Sequence, residues 1–188
     1  MKRWIVWLIV SAWILSAGMA WAEKAPPEVI DLAHSTLVKW GTEPVIVRAV
    51  KEANAQGKSL EQIKAMDKRW RETPGIADFM QALMDSECGR YLRRLQASAP
   101  YYAEIFVMDN QGANVCMTDK TSDYWQGDEA KFQKSFNGGK GAVHIGDVEF
   151  DDSTQAYLVQ VSVPVKEGEK VIGAITIGID IDRLEESR

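Results

Sequence analysis

The chain has 188 residues, a formal charge of −5, 26% charged and 46% hydrophobic residues, and two cysteines. An acidic chain is a poor partner for nucleic acid or an anionic membrane surface, which sets those classes aside. Its length suits one domain with a sizeable core.

The chain opens Met1-Lys2-Arg3, continues through an apolar block from Trp4 to Ala17, and reaches Ala20-Trp21-Ala22 before Glu23. A basic start, an apolar middle and small residues at −3 and −1 describe a secretory signal peptide over residues 1–22. The competing arrangement is a retained signal anchor, because Trp4 to Trp21 is almost long enough to span a bilayer. Gly18 and the Ala20/Ala22 pair favour cleavage. Loss of Lys2 and Arg3 would take the formal charge from −5 to −7. Cys88 and Cys116 both follow the leader. An oxidising compartment allows them one disulfide, and the alternative is two small buried hydrophobes.

After Pro26-Pro27, which suit a helix start, Val29, Leu32, Ala33, Thr36, Leu37 and Trp40 recur at helical spacing. Pro44 restarts a helix that Gly57 ends, and Ser59-Leu60-Glu61-Gln62 has the spacing of a capping box. The helix that follows carries Ile63, Met66 and Trp70 on one side and stops before Pro74. Residues 23–74 thus form an amino-terminal helical segment, which could lie across a sheet or pair with a second chain. Ile76, Phe79, Met80, Leu83, Cys88, Tyr91, Leu92 and Leu95 predict one longer amphipathic helix, finished by Pro100.

Beyond Pro100 the period falls to two. Glu104 to Met108 and Ala113 to Thr118 read as strands around Asp109-Asn110-Gln111-Gly112, a hairpin loop with glycine at the bulge position. Asp128 to Phe136 predicts a short helix. Three strands follow, Ala142 to Phe150, Gln155 to Val165 and Lys170 to Asp180, joined by short polar turns as an antiparallel meander. In the fourth strand Tyr157, Val159, Val161, Val163 and Val165 share one face, and Gln160 and Ser162 the other.

This order resembles the extracytoplasmic PAS-like sensor fold, the Cache (PDC) family, over roughly Ile76 to Asp182. The resemblance rests on Phe106-Val-Met-Asp-Asn-Gln-Gly112, Thr121-Ser-Asp-Tyr-Trp-Gln-Gly-Asp-Glu129, Val148-Glu-Phe-Asp-Asp-Ser-Thr154, and Val161-Ser-Val-Pro-Val165 followed by Val171-Ile-Gly-Ala-Ile-Thr-Ile-Gly178. It implies an α+β domain over residues 75–188: a five-stranded antiparallel sheet with long helices on one face and a small-molecule pocket on the other. Family members sense metabolites for histidine kinases, chemoreceptors or cyclic-nucleotide enzymes. The expectation is therefore a free-standing single sensor domain in the periplasm, with a membrane sensor kinase or chemoreceptor as partner. A homodimer through the amino-terminal helices is a further expectation. The Arg-x-Trp-Tyr amino-acid signature of double Cache domains is missing, so an α-amino-acid ligand does not follow.

Large aromatics beside clustered carboxylates on the segment after the hairpin suit a pocket wall with polar anchors. The candidate ligand-binding residues are Thr121, Asp123, Tyr124, Trp125 and Asp128, joined by Asp151 at a strand end and Tyr157 early in the next strand. Against this, Trp125 could plug the core while the acids cap the next helix. His34 and His144 are far apart and the acids lack EF-hand spacing, so no metal or cofactor is expected. Asp123 with Asp128 could be drawn as the carboxylate pair of a glycoside hydrolase, but no nucleophile motif supports an enzyme. An assembly protein acting through the helical segment is the other alternative.

Overall fold

The computed structural model describes residues 23–152 and 154–188, so the leader expected over residues 1–22 lies outside the described residues. Pro27 sits in the first turn of α1 (Pro27–Leu32), which runs through a π-helical stretch (Ala33–Leu37) into α2 (Val38–Trp40). Pro44 opens α3 (Pro44–Ala55). Ser59 caps α4 (Leu60–Glu72) through the reciprocal box with Gln62 that the spacing predicts.

The single helix expected from Ile76 to Leu95 is instead two, α5 (Asp78–Met84) and α6 (Glu87–Gln96). Ser86 breaks it. Its hydroxyl accepts from the Gly89 N–H at 3.0 Å, a local alternative to continuing the helix. Gly89 carries no Cβ, which would collide with the Met84 carbonyl, so the second helix starts tight against the end of the first. Helical periodicity carries across such a corner, which is why the stripe alone did not reveal it.

Five strands follow: β1 (Tyr102–Met108), β2 (Asn114–Met117), β3 (His144–Asp151), β4 (Ala156–Glu167) and β5 (Lys170–Asp180). They form one antiparallel sheet in the order β2-β1-β5-β4-β3. The fold is the α+β, five-stranded antiparallel arrangement that the family resemblance implies. In the hairpin turn Asp109 Oδ1 accepts from the Gln111 and Ala113 amides at 2.8 and 3.0 Å, and Gly112 takes a φ of +84°.

The two faces of the sheet differ. Ile105, Val107, Val159, Val161, Val163, Val165, Ile175, Ile177 and Ile179 form one core with Val29, Ala33, Leu37 and Trp40, with Ile46 and Val50 of α3, and with Leu92 of α6. The amino-terminal stripe therefore packs against the sheet. Each fully buried Val or Ile there contributes roughly 1.5–3 kcal/mol relative to exposure. The opposite face is apolar towards β1 and β2, where Phe106, Met108 and Met117 meet Phe132 of α7 (Ala130–Phe136) and Ile63 and Trp70 of α4. Towards β4 it turns polar: Ser162 and Thr176 hydroxyls bond each other at 2.8 Å, and Gln160 lies one pleat away.

Cys88 of α6 and Cys116 of β2 form a disulfide with a Cα–Cα distance of 5.8 Å and a sequence separation of 28. It ties the helical layer to the edge strand. By the loop-closure argument, Cys88→Ser/Cys116→Ser is expected to lose about 3–4 kcal/mol, read as a lower urea midpoint at unchanged slope. Reductant should reproduce that loss in the wild type and leave the double variant unmoved.

Candidate functional site

The polar half of the second sheet face is the floor of a cavity of about 380 Å³ lined by Glu104, Phe106, Thr121, Ser122, Gln126, Lys131, Asp151, Asp152 and Gln160. A second hollow of about 350 Å³ shares Lys131, Asp151 and Gln160 with it and extends towards His144, Glu149 and Phe150. Volumes of this size fall in the range of small-molecule sites.

The floor follows from register. Glu104 of β1 and Gln160 of β4 both pair with Gly178 of β5, so the three residues stand in one row across the sheet. Gly178 leaves the gap in which the Glu104 side chain lies; a Cβ there would come within 2.6 Å of Glu104 Cγ. Through that gap Glu104 Oε1 accepts from Gln160 Nε2 at 2.8 Å. Glu104 is 9% exposed. Burial pushes its pKa above the ordinary glutamate value, the Gln160 bond pulls it down, Asp151 raises it again, and Lys131 opposes that.

The roof is the crossover between β2 and α7, and α4 holds it. Asp67 Oδ1 accepts from the Tyr124 and Trp125 amides at 2.9 and 3.1 Å, and Trp70 Nε1 donates to the Thr121 carbonyl at 2.8 Å. Arg71 bridges Asp67 at 3.0 Å and Asp123 at 3.5 Å. The crossover also pairs with the hairpin: Asn114 N donates to the Tyr124 carbonyl and Gln126 N to that of Gly112. Gln126 then turns inward. It is 1% exposed, its Nε2 donates to the Asp123 carbonyl at 2.8 Å, and its Oε1 finds no partner among the described residues.

The structure divides the residues that the sequence groups. Thr121 and Asp151 line the inner cavity. Asp123, Trp125 and Asp128 line a separate outer cleft of about 470 Å³ with Lys64, Asp67, Arg71 and Glu129. There Lys64 Nζ stands 4.7 Å from the Trp125 ring centroid, and Trp125 Nε1 donates to the Gln111 carbonyl at 2.8 Å. Tyr124 is buried in the core beside Trp70, with ring centroids 5.7 Å apart. Tyr157 is half exposed, meets Phe150 edge-on at 5.3 Å, and by strand alternation lies on the face opposite Gln160. Glu104, Phe106, Gln126, Lys131 and Gln160 did not stand out in the sequence. The legible signal was polar residues on one alternation of otherwise apolar strands: Glu104 with Phe106 and Met108, and Gln160 with Ser162.

No family model and no curated protein matches the chain. Among solved structures, it is similar to the sensor domain of the Vibrio cholerae histidine kinase DctB, at 13% identity and a TM-score of 0.45. That match covers 85% of this chain and 52% of that one. It is also similar to the sensory domain of the Campylobacter jejuni chemoreceptor Tlp3, at 14% identity and a TM-score of 0.44, covering 86% and 67%. The ligand-binding domain of Tlp3 in complex with L-valine matches at 14% identity and a TM-score of 0.42, covering 86% and 66%. The chain thus spans about half the length of the DctB sensor domain. At these values the fold assignment rests on the strand order and core of the chain itself.

Ionised Glu104 costs the folded state free energy, because its folded pKa lies above its unfolded one. This cost is absent below the ordinary glutamate value of about 4.3 and grows as pH rises through the raised value. Glu104→Gln is close in shape, keeps an acceptor for Gln160 and carries no charge. It is expected to raise Tm at neutral pH by about 2–4 °C, the shift that roughly 1 kcal/mol makes in a domain of this size, and to change it little in acid. Scanning calorimetry at the two pH values checks this; an equal shift at both would remove the ionisation argument.

Proposed function

We propose that this chain is an extracytoplasmic small-molecule sensor domain that binds its ligand between the polar sheet face and the crossover. The observation that carries the reading is the floor: a buried carboxyl bridged to Gln160 across Gly178, beneath a roof with an unpartnered buried acceptor. Buried polar groups left short of partners cost stability, and a ligand that completes them recovers it. The Cache-like order of elements supports the same class. No helix among the described residues is long and apolar enough to cross a membrane. The expected route of export is the leader over residues 1–22, cleaved after Ala22. Occupancy would be read by a membrane kinase or chemoreceptor through the helices packed on the far side of the sheet.

Trp125, Asp123 and Asp128 support a second placement, in the outer cleft. The inner cavity is preferred because its floor is desolvated, and polar contacts strengthen where water is excluded.

A thermal-shift screen of the folded chain against metabolites should find a stabilising compound, since a binder of the folded state raises Tm by mass action. Gln126→Leu removes the orphan acceptor and leaves the Asp123 carbonyl its bonds from Asn114 and Thr121. It should weaken that compound at least about tenfold, or roughly 1.4 kcal/mol, while Asp128→Asn leaves it unchanged. The reverse pattern would move the site to the outer cleft.

A further inference from the structure

We infer that the open edge of β3 is a docking site for a partner protein, which adds an extended strand of alternating apolar and basic residues. This goes beyond the ligand reading and does not depend on it.

β3 ends the sheet, so one side of its backbone pairs with β4 and the other has no neighbouring strand. Up to Val148 that side is guarded. The register with β4 shifts between Ile145 and Val148, Val148 N donates to the Glu23 carbonyl at 2.7 Å, and Lys24 Nζ reaches Asp147 at 2.9 Å. From Val148 to Asp151 the pairing with β4 is regular. The Val148 N–H points away from β4, so antiparallel alternation turns the Phe150 N–H and C=O outward as well. Among the described residues, none bridges Phe150 from that side.

Along this regular half apolar and acidic side chains alternate. Val148 and Phe150 lie on the sheet face of Tyr157, and Glu149 and Asp151 on the other. Phe150 and Tyr157 are 50% and 53% exposed and meet edge-on at 5.3 Å. They are the two aromatics among the exposed large apolar side chains of the described residues, and they stand together at an open edge. Charges and bulges on an edge strand block pairing, whereas a contiguous apolar patch beside free backbone groups invites it.

Charge selects the occupant. Residues 144–154 include Asp147, Glu149, Asp151 and Asp152 and no lysine or arginine. A second copy laid antiparallel along the same edge would set Glu149 against Asp151, and like charges directly opposite destabilise a strand pair. A strand with basic side chains on one face and apolar ones on the other instead meets Glu149 and Asp151 with the first, and Phe150 and Tyr157 with the second. Main-chain bonds to Phe150 supply affinity, and the alternating side chains supply specificity. This stretch also borders the hollow that shares Lys131, Asp151 and Gln160 with the inner cavity, so a docked strand abuts the candidate ligand site.

Calorimetric titration of the chain recovered from the periplasm with three capped synthetic hexapeptides tests the inference. The first is Val-Lys-Trp-Lys-Val-Lys, and the second has glutamate in place of lysine. The third is the basic peptide N-methylated on its valines and tryptophan, the residues whose amides would face β3. The basic peptide should saturate the protein and the other two should not. Phe150→Ser/Tyr157→Ser, confirmed folded by circular dichroism, should weaken the basic peptide at least about tenfold. Glu149→Lys, at an exposed position, should weaken it as well and decides the matter if the double variant does not fold. Absence of saturable binding by the basic peptide overturns the inference. So does equal binding of the glutamate or N-methylated peptide, or an affinity that neither variant changes. A dimer in sedimentation velocity that Phe150→Ser/Tyr157→Ser dissolves would assign the edge to a second copy, and overturns it too.

Discussion

A carboxyl group laid across the middle of a β-sheet needs a gap to lie in and a donor to meet. Gly178 supplies the gap and Gln160 the donor, and the rest of the site depends on that arrangement. The central strand β5 is rich in β-branched residues, suited to a buried strand paired on both sides. Its glycine at 178 lets β1 and β4 exchange a polar contact over it. The exchange is between side chains, and the ladder continues on both sides of β5, with the β1–β5 register shifting between Tyr102 and Glu104 just before the floor begins.

Such a floor is tolerable only because the other face takes the burden of stability. Ten Val and Ile residues of β1, β4 and β5 sit in the core under α1, α2, α3 and α6, and the Cys88–Cys116 disulfide fastens α6 to the sheet edge. The roof is secured separately. Asp67 and Trp70, both on α4, grip the crossover by its backbone, and Gln126 is tied in further by its own side-chain bond to the Asp123 carbonyl. The aromatic-acidic segment therefore has two sides, with Gln126 turned to the cavity and Trp125 turned to the outer cleft.

Most of the fold was legible in the sequence because its signals are local. The capping box at Ser59, the prolines at 27 and 44, the Asp109–Gly112 turn and the alternation of β4 each act over a few residues. The corner between α5 and α6 was hidden because the apolar stripe continues through it. The site was only half legible. Aromatics and acids clustered along the chain drew attention to Tyr124, Trp125 and Asp128, yet Tyr124 went to the core and the other two to the outer cleft. Glu104 and Gln160 are 56 residues apart, and only strand order brings them together over Gly178. Pairing order is a long-range property that no window along the chain contains. The role of Asp67 was hidden for the same reason, since its partners lie 57 and 58 residues away.

A ligand in the inner cavity meets the sheet floor and the inner side of the crossover. Side-chain amide resonances report this most directly, because Gln126 and Gln160 each carry an NH₂ group at the cavity wall while Trp125 carries an indole N–H at the outer cleft. In a ¹H–¹⁵N titration with a stabilising ligand, the Gln126 and Gln160 side-chain signals should shift saturably with the Trp125 indole little changed. Shifts confined to the Trp125 indole and its cleft, with both glutamine amides unmoved at saturation, would contradict it.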